Sequence, residues 1–160
     1  MPGWYKIGDP LLIDWRGRPP QMLPDDIPVW WQYLDSPNCP RYETVYYNVA
    51  MTSVEPSTIP GPKNLANMWL YNISKRIDAV ACTPTKAHII EVTGRAGIRS
   101  LGQIISYKRL WEHTKPLPIP FSASILCLYS DPDVIFVSSS HDISIIELTP
   151  IELLESLKAL

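Results

Sequence analysis

Apolar and polar positions follow two different periods along this chain, and the changes of period predict its helices and strands. Helical spacing predicts helices in residues 24–36, in residues 63–75 and from about Ile98 to Glu112. In the last of these, the expected buried face contains Ile98, Leu101, Ile105 and either Leu110 or Trp111. Alternating, β-branched and aromatic runs predict strands in residues 41–52, 76–83, 87–94, 123–130 and 143–149.

The C-terminal part of the chain adds two more predicted helices. Residues 131–142 are typical of a helix capped by Asp131, although residues 133–140 also suit a strand by propensity. Residues 150–160 begin with a proline and are amphipathic, which predicts a terminal helix. The sequence therefore predicts an α/β (α+β) domain, a mixed sheet flanked by helices.

Proline distinguishes the N-terminal segment from the rest of the chain. Eight of the 17 prolines lie in the first 40 residues, and proline fixes φ and removes a backbone donor. We expect residues 1–23 to form an extended proline-rich arm without regular structure, ahead of a domain in residues 24–160. The arm contains Trp4, Leu12 and Trp15, so we expect it to dock on its own domain or to bind a neighbouring protein subunit.

Composition and charge exclude several classes of protein. With 160 residues, 46% hydrophobic and 19% charged, the chain is long enough for one domain with a real core. A net charge of −2 gives no overall attraction to nucleic acid. The three cysteines form no CxxC pair, and neither a signal-peptide pattern nor a long apolar run is present. We therefore expect a protein that is neither secreted nor bound to a membrane.

The predicted hairpin of residues 76–83 and 87–94 brings two acids face to face. If residues 83–86 close the turn, antiparallel counting puts Asp78 opposite Glu91 and Arg76 opposite Thr93. Like charges directly opposite each other destabilise a sheet, and a divalent cation with oxygen ligands removes that conflict. An ion-pair network that neutralises Glu91, with Asp78 solvated at the sheet edge, is the alternative explanation.

These residues resemble the PD-(D/E)xK, or restriction-endonuclease-like, nuclease superfamily. Asp78, a 12-residue gap and then Glu91-Val92-Thr93 are similar to its metal-binding motif, and Gln103 and Tyr107 resemble the QxxxY motif of the RecB-type branch. The resemblance implies a Mg²⁺ site formed by Asp78, Glu91 and the Val92 carbonyl. It also implies a restriction-endonuclease-like sheet, with Gln103 and Tyr107 on one helical face that contacts nucleic acid.

The chain departs from the family pattern at the catalytic lysine, where it has Thr93. A threonine hydroxyl is neutral and short, so it cannot stabilise the charge that develops on a phosphate during cleavage. Arg76, expected across the ladder, is the substitute that the register offers, but arginine does not exchange a proton near neutral pH. The catalytic set that the resemblance implies is therefore Asp78, Glu91, Thr93 and Arg76, in a degenerate form.

One locally basic stretch is the candidate nucleic-acid surface. Residues 95–115 hold five basic residues, Arg95 and Arg99 among them, against one acid, Glu112. Such a stretch is typical either of a groove that follows phosphates or of an ordinary solvated helix face.

Two functions follow as expectations from the resemblance. The first is a non-catalytic protein of nuclease fold that serves as a structural component of a tailed-phage virion, in the head, connector or tail, or in the host cytoplasm. It would form part of an assembly, with other protein subunits and possibly DNA as partners. The second is a magnesium-dependent DNA nuclease or resolvase.

Overall fold

A computed structural model describes residues 3–159 of the chain, and in it a mixed sheet is flanked by helices, as predicted. The strands are β1 (Trp4–Lys6), β2 (Leu11–Leu12), β3 (Thr44–Thr52), β4 (Lys75–Cys82), β5 (Ala87–Val92), β6 (Arg95–Ala96), β7 (Phe121–Cys127), β8 (Tyr129–Ser130) and β9 (Ile143–Glu147). The helices are α1 (Ile27–Leu34), α2 (Lys63–Ile73), α3 (Ile98–Thr114), α4 (Pro132–Ser140) and α5 (Ile151–Lys158). A 3₁₀ turn, Pro56–Thr58, precedes α2.

The main sheet has seven strands, in the order β1-β3-β4-β5-β7-β9, with β2 also paired to β3. Strand β4 is antiparallel to both of its neighbours, β3 and β5, whereas β5, β7 and β9 are parallel. A crossover through α3 joins β5 to β7, as a parallel connection requires. The two-residue strands β6 and β8 form a separate parallel pair beside the C-terminal end of β5.

The predicted hairpin register is confirmed from its turn as far as the middle of the strands. Cys82 pairs with Ala87 and Val80 with Ile89, and the ladder ends at Ala79 and Ile90. Asp78 is the next residue outward, so β4 and β5 separate at the position of the two acids.

Strand β4 is distorted at Asp78. Ile77 and Val80 pack in the same core cluster, although residues three apart on a regular strand face opposite sides. The neighbouring position on β3 is Asn48, which has a φ of 53°. Asn48 is among the residue types that tolerate left-handed backbone, so the distortion involves both strands.

Each face of the sheet packs against a helix. Helix α3 covers one face with Leu101, Ile104, Tyr107 and Trp111. The predicted buried face of this helix is wrong at Ile98, which is 82% exposed because it begins the helix beyond the edge of the core. Helix α1 covers the other face, and its side chains Val29, Trp30 and Tyr33 are buried there.

The N-terminal arm adds to the edge of this sheet. Trp4 pairs with Thr52 and Leu11 with Val45, so the expectation that residues 1–22 lack regular structure is wrong for β1 and β2. The Trp15 ring lies 5.5 Å from that of Tyr47, and Met22 is buried. Met1 and Pro2 of the predicted arm lie outside the described residues. Over residues 3–23 the arm packs on its own domain through some of its apolar side chains, whereas Leu12 and Leu23 are 68% and 66% exposed.

The C-terminal helices form as predicted. The Asp131 side chain accepts a hydrogen bond of 2.8 Å from the Asp133 N–H and so caps α4. The side chains of α5 that the structure describes are all exposed. Among residues 3–159, no helix has both the length and the apolar character needed to cross a bilayer.

Candidate functional site

Asp78 and Glu91 meet where β4 and β5 separate. Asp78 Oδ2 accepts a hydrogen bond of 2.9 Å from the Val92 N–H, which fixes its carboxylate beside the end of β5. Glu91 lies on the face of β5 that α3 covers, and its side chain is 7% exposed. Each carboxyl group affects the pKa of the other, so the two can share one proton between them.

Burial and mutual repulsion hold this pair in a partly protonated state. Burial raises the pKa of Glu91, and the negative charge of Asp78 raises it further. Burial also raises the pKa of Asp78, against the opposing effect of the hydrogen bond from Val92. Two carboxyl groups in one desolvated site titrate as a unit, so the pair retains a proton well above the usual range of a carboxyl group.

Asp26, at the N-terminus of α1, is a third acid in this region that sequence reasoning did not select. Its charge raises the pKa of both Asp78 and Glu91. Its own pKa is raised by burial and by the charge of Asp25, and lowered by the Gly94 backbone. Helical spacing predicts α1 but does not single out Asp26, because an acid just before a helix is also typical of an ordinary helix start. No group of three His, Cys, Asp or Glu side chains able to hold a metal ion occurs within residues 3–159.

The donor set suits a hard divalent cation through two carboxyl groups and a backbone carbonyl. Glu91 Oε2 is buried and has no hydrogen-bond partner in the part of the chain that the structure describes. A buried oxygen of this kind costs free energy unless a proton or a cation satisfies it. Asp78, Glu91 and the Val92 carbonyl would hold Mg²⁺, with water completing its coordination.

Thr93, at the position where the resembled family has lysine, makes two hydrogen bonds to backbone. Its N–H donates to the Leu126 carbonyl at 2.9 Å, and its hydroxyl donates to the Arg95 carbonyl at 3.1 Å. These contacts fix the chain as it leaves β5 and turns towards β6.

The β4–β5 ladder ends at Ala79 and Ile90, so Arg76 has no ladder partner on β5 and its predicted position opposite Thr93 is wrong. On its other side, Arg76 pairs with Ala50 of β3. Its guanidinium lies 3.7 Å from the centre of the Tyr71 ring and donates to the Tyr71 carbonyl at 2.7 Å. The distortion of β4 at Asp78 turns Arg76 towards α2, and the substitute cation that the register suggested is directed away from the acids.

Tyr107 and Gln103 differ in exposure although they are four residues apart on α3. Tyr107 is 6% exposed and belongs to the core cluster, whereas Gln103 is partly exposed. Burial raises the pKa of Tyr107, and the negative charges of Glu91 and Asp78 raise it further. The Tyr107 hydroxyl therefore lies in the electric field of the acid pair. The expectation that both residues reach phosphates from one exposed surface is therefore wrong for Tyr107, which packs against the sheet.

The basic residues of the candidate nucleic-acid surface do not form one group. Arg95 and Arg99 are exposed at the start of α3, where the charge of Arg99 lowers the pKa of Glu91. Lys108 donates to the His141 carbonyl at 2.7 Å, so it is used to join α3 to the end of α4. Arg99 is the cation that the structure brings into electrostatic range of the acid pair.

Comparison of the chain with protein-family models, with curated proteins and with solved structures gives no match.

Proposed function

We propose that this protein is a non-catalytic, nuclease-like domain that binds a divalent cation at Asp78 and Glu91. The observation that carries the proposal is an acid pair that is buried and hydrogen-bonded, next to a position held by Thr93 rather than by lysine. In the resembled family, bound magnesium activates the attacking water and an ammonium group assists it. Here the residues for the cation are together, and the ammonium group is missing.

The order of elements also supports the resemblance to restriction-endonuclease-like proteins. Helix α1 is followed by β3, then by α2 and the antiparallel strands β4 and β5, and then by α3 and β7, which is parallel to β5. The acid pair lies at the end of the β4–β5 hairpin, and α3 with Gln103 and Tyr107 begins soon afterwards. This is the arrangement that the PD-(D/E)xK motif and the QxxxY motif imply.

Cation binding is tested by thermal unfolding at two pH values. We expect saturating Mn²⁺ to raise the melting temperature by about 3 °C at pH 8, the size expected for roughly 1 kcal/mol of binding free energy in a domain of this length. The increase should be smaller at pH 5.5, because the cation competes with the proton that the raised carboxyl pKa values retain.

Two matched variants locate the cation. Asp78→Asn should abolish the Mn²⁺-dependent increase, and Asp142→Asn, an exposed position with a φ of 55° that asparagine tolerates, should retain it. Water-proton relaxation in the presence of Mn²⁺ gives a second reading of binding. An equal increase in wild type and Asp78→Asn would place the cation elsewhere and remove this proposal.

We further propose that the domain is a structural component of a larger protein assembly, with a tailed-phage virion as the setting that the resemblance implies. Large apolar side chains on the C-terminal helices support this role. Phe136 of α4 is 79% exposed and Ile135 is 45% exposed, and Leu153 and Leu157 of α5 are more than half exposed. Exposed apolar surface of this extent is typical of a protein interface, and two such helices on one chain offer complementary surfaces to neighbouring copies.

Self-association tests the assembly proposal. We expect sedimentation equilibrium to detect oligomers of the wild-type chain, and Phe136→Ser to weaken their association by about tenfold, since an anchoring aromatic side chain typically contributes more than 1 kcal/mol. Leu12→Ser, which changes an exposed leucine on the arm, is the control and should associate as wild type does. Self-assembly would be contradicted if the wild-type chain remained monomeric at 1 mM. Contacts of roughly millimolar affinity or weaker are negligible for a stable assembly.

A magnesium-dependent nuclease is the second candidate, and Arg99 is the observation that favours it. Its positive charge acts on Glu91 from the first turn of α3, where an arginine can bind a phosphate oxygen.

A further inference from the structure

A second polar site lies on the opposite face of the sheet from Glu91. It is an open pocket of about 470 Å³ beside α1, over the N-terminal halves of β5 and β7 and along the length of β9. Because parallel strands in a helix-covered sheet are usually apolar on both faces, polar residues there require a separate explanation.

Serine hydroxyls from two neighbouring strands line this pocket in register. Ser122 of β7 pairs with His88 of β5, and Ser124 pairs with Ser144 of β9. All four side chains point to the face that α1 covers only in part, so they form a continuous polar surface at the floor of the pocket.

Ser124 provides a second sign that the pocket binds a ligand. It is 6% exposed, lines the pocket, and makes no side-chain hydrogen bond to any described residue. Its hydroxyl is not completely buried, so the small exposed area of this residue opens into the pocket. A ligand oxygen there would supply the hydrogen-bond partner that the protein does not.

The walls of the pocket provide one cation, one imidazole and one amide. Lys86 lines one side. His88 Nδ1 is 3.3 Å from Tyr42 Oη, and Tyr42 Oη is 2.7 Å from Tyr33 Oη, which fixes the ring and leaves Nε2 for a ligand. Asn38, in the loop after α1, also lines the wall.

We propose that this pocket binds a small phosphorylated polyol, with its phosphate held by Ser122, Ser124 and Lys86. Hydroxyl and ammonium donors suit phosphate oxygens, which accept several hydrogen bonds at once. The Ser144 hydroxyl and the Asn38 amide meet the sugar-like hydroxyls, and the edge of Tyr33 packs against the carbon skeleton. The volume is within the range of small-molecule sites.

The proposal is independent of the cation site, so the experiment is performed without metal, in EDTA. Ribose 5-phosphate, inorganic phosphate and ribose are titrated into isotopically labelled full-length protein and followed by NMR. We expect ribose 5-phosphate to bind more tightly than either fragment, and to shift the signals of His88 and Ser124 rather than those of Glu91.

Matched variants assign the contacts. Ser124→Ala and Lys86→Gln should each weaken ribose 5-phosphate binding by about tenfold, the loss typical of one hydrogen bond to a charged group. Ser139→Ala, an exposed serine on α4, should bind as wild type does. Ser124→Ala removes one oxygen only, and its unchanged far-UV circular dichroism would show that the fold is intact.

Three results would overturn the proposal. The first is undetectable binding of ribose 5-phosphate at 10 mM, roughly the weakest affinity that such a contact set allows. The second is an unchanged affinity in both pocket variants. The third is loss of binding in Arg99→Gln. The last would place the phosphate at the start of α3, beside the acid pair. Equal affinity for inorganic phosphate and ribose 5-phosphate would contradict the polyol part of the ligand.

Discussion

Glu91→Gln should be more stable than the wild-type protein at pH 8, by on the order of 2–4 kcal/mol in the free energy of unfolding. In the wild-type protein, Glu91 is buried beside Asp78, and the pair must either retain a proton or accept two negative charges in a desolvated site. A glutamine has the same shape and is neutral at every pH. Its amide N–H also donates to the Asp78 carboxylate, as the protonated Glu91 does.

The pH dependence of this difference follows from the direction of the pKa shift. Burial, followed by the Asp78 charge, raises the pKa of Glu91 in the folded state, so the folded protein binds more protons than the unfolded chain above the ordinary carboxyl pKa. The free energy of unfolding of the wild-type protein therefore falls as the pH rises from about 4 to the raised pKa of Glu91. The fall is about 1.4 kcal/mol for each pH unit. The variant should show a much flatter profile, with the two curves meeting near pH 4.

Urea unfolding between pH 4 and pH 9 measures this, and Glu112→Gln is the control. Glu112 is exposed on α3, so its substitution should change the free energy of unfolding by less than about 0.5 kcal/mol. A Glu91→Gln protein that is less stable than wild type at pH 8, or that keeps the wild-type slope, would show that the acid pair is not strained. Stability gained by removing one acid is the pattern expected of a functional site.

The hairpin was predictable because its turn and its alternation agree. Residues 83–86 offer proline and threonine between two strongly apolar runs, and only one register puts Cys82 opposite Ala87. Counting outward from that register predicts that Asp78 lies beside Glu91.

Arg76 shows where such counting fails. The residues from Arg76 to Cys82 are compatible both with a regular strand and with a distorted one. The sequence of β4 therefore does not show that its side chains change faces at Asp78. The signal lay on the neighbouring strand, where Asn48 interrupts a run of β-branched and aromatic residues. A strand distortion depends on two chains at once, and the sequence of one of them does not reveal it.

Helix α3 was predicted with the correct start and with a buried face that is correct at Leu101 and, in its second alternative, at Trp111. Ile105 and Leu110 are partly buried against the same core, whereas Ile98 is exposed. The prediction did not include Ile104 and Tyr107, and the Tyr107 ring helps to fill the space above β5 and β7. The sequence does not predict the pocket formed by the serines of β7 and β9. Strand propensity does not distinguish a serine that lies under a helix from a serine that lines a pocket.

The second large effect concerns catalysis at Thr93. A lysine at this position would project from the residue after β5, two positions beyond Glu91, and would lose only the threonine hydroxyl's bond to the Arg95 carbonyl. Removing one charge-stabilising group from an active site typically lowers the rate by about 10²–10³-fold, so restoring one should recover a comparable factor.

We expect the wild-type protein to leave single- and double-stranded DNA uncut in Mg²⁺ or Mn²⁺, and Thr93→Lys to cut it at a rate at least about 10²-fold above the wild-type background. Nicking of supercoiled plasmid measures both. Thr93→Gln, which has similar reach without the charge, should remain inactive, and Asp78→Ala combined with Thr93→Lys should abolish the gained activity, since it removes half of the cation site. Cleavage by the wild-type chain that Glu91→Ala or Asp78→Ala abolishes would contradict the non-catalytic role and establish the nuclease. In that case Arg99→Gln should reduce the cleavage, because Arg99 is the cation that acts on Glu91 in the folded protein.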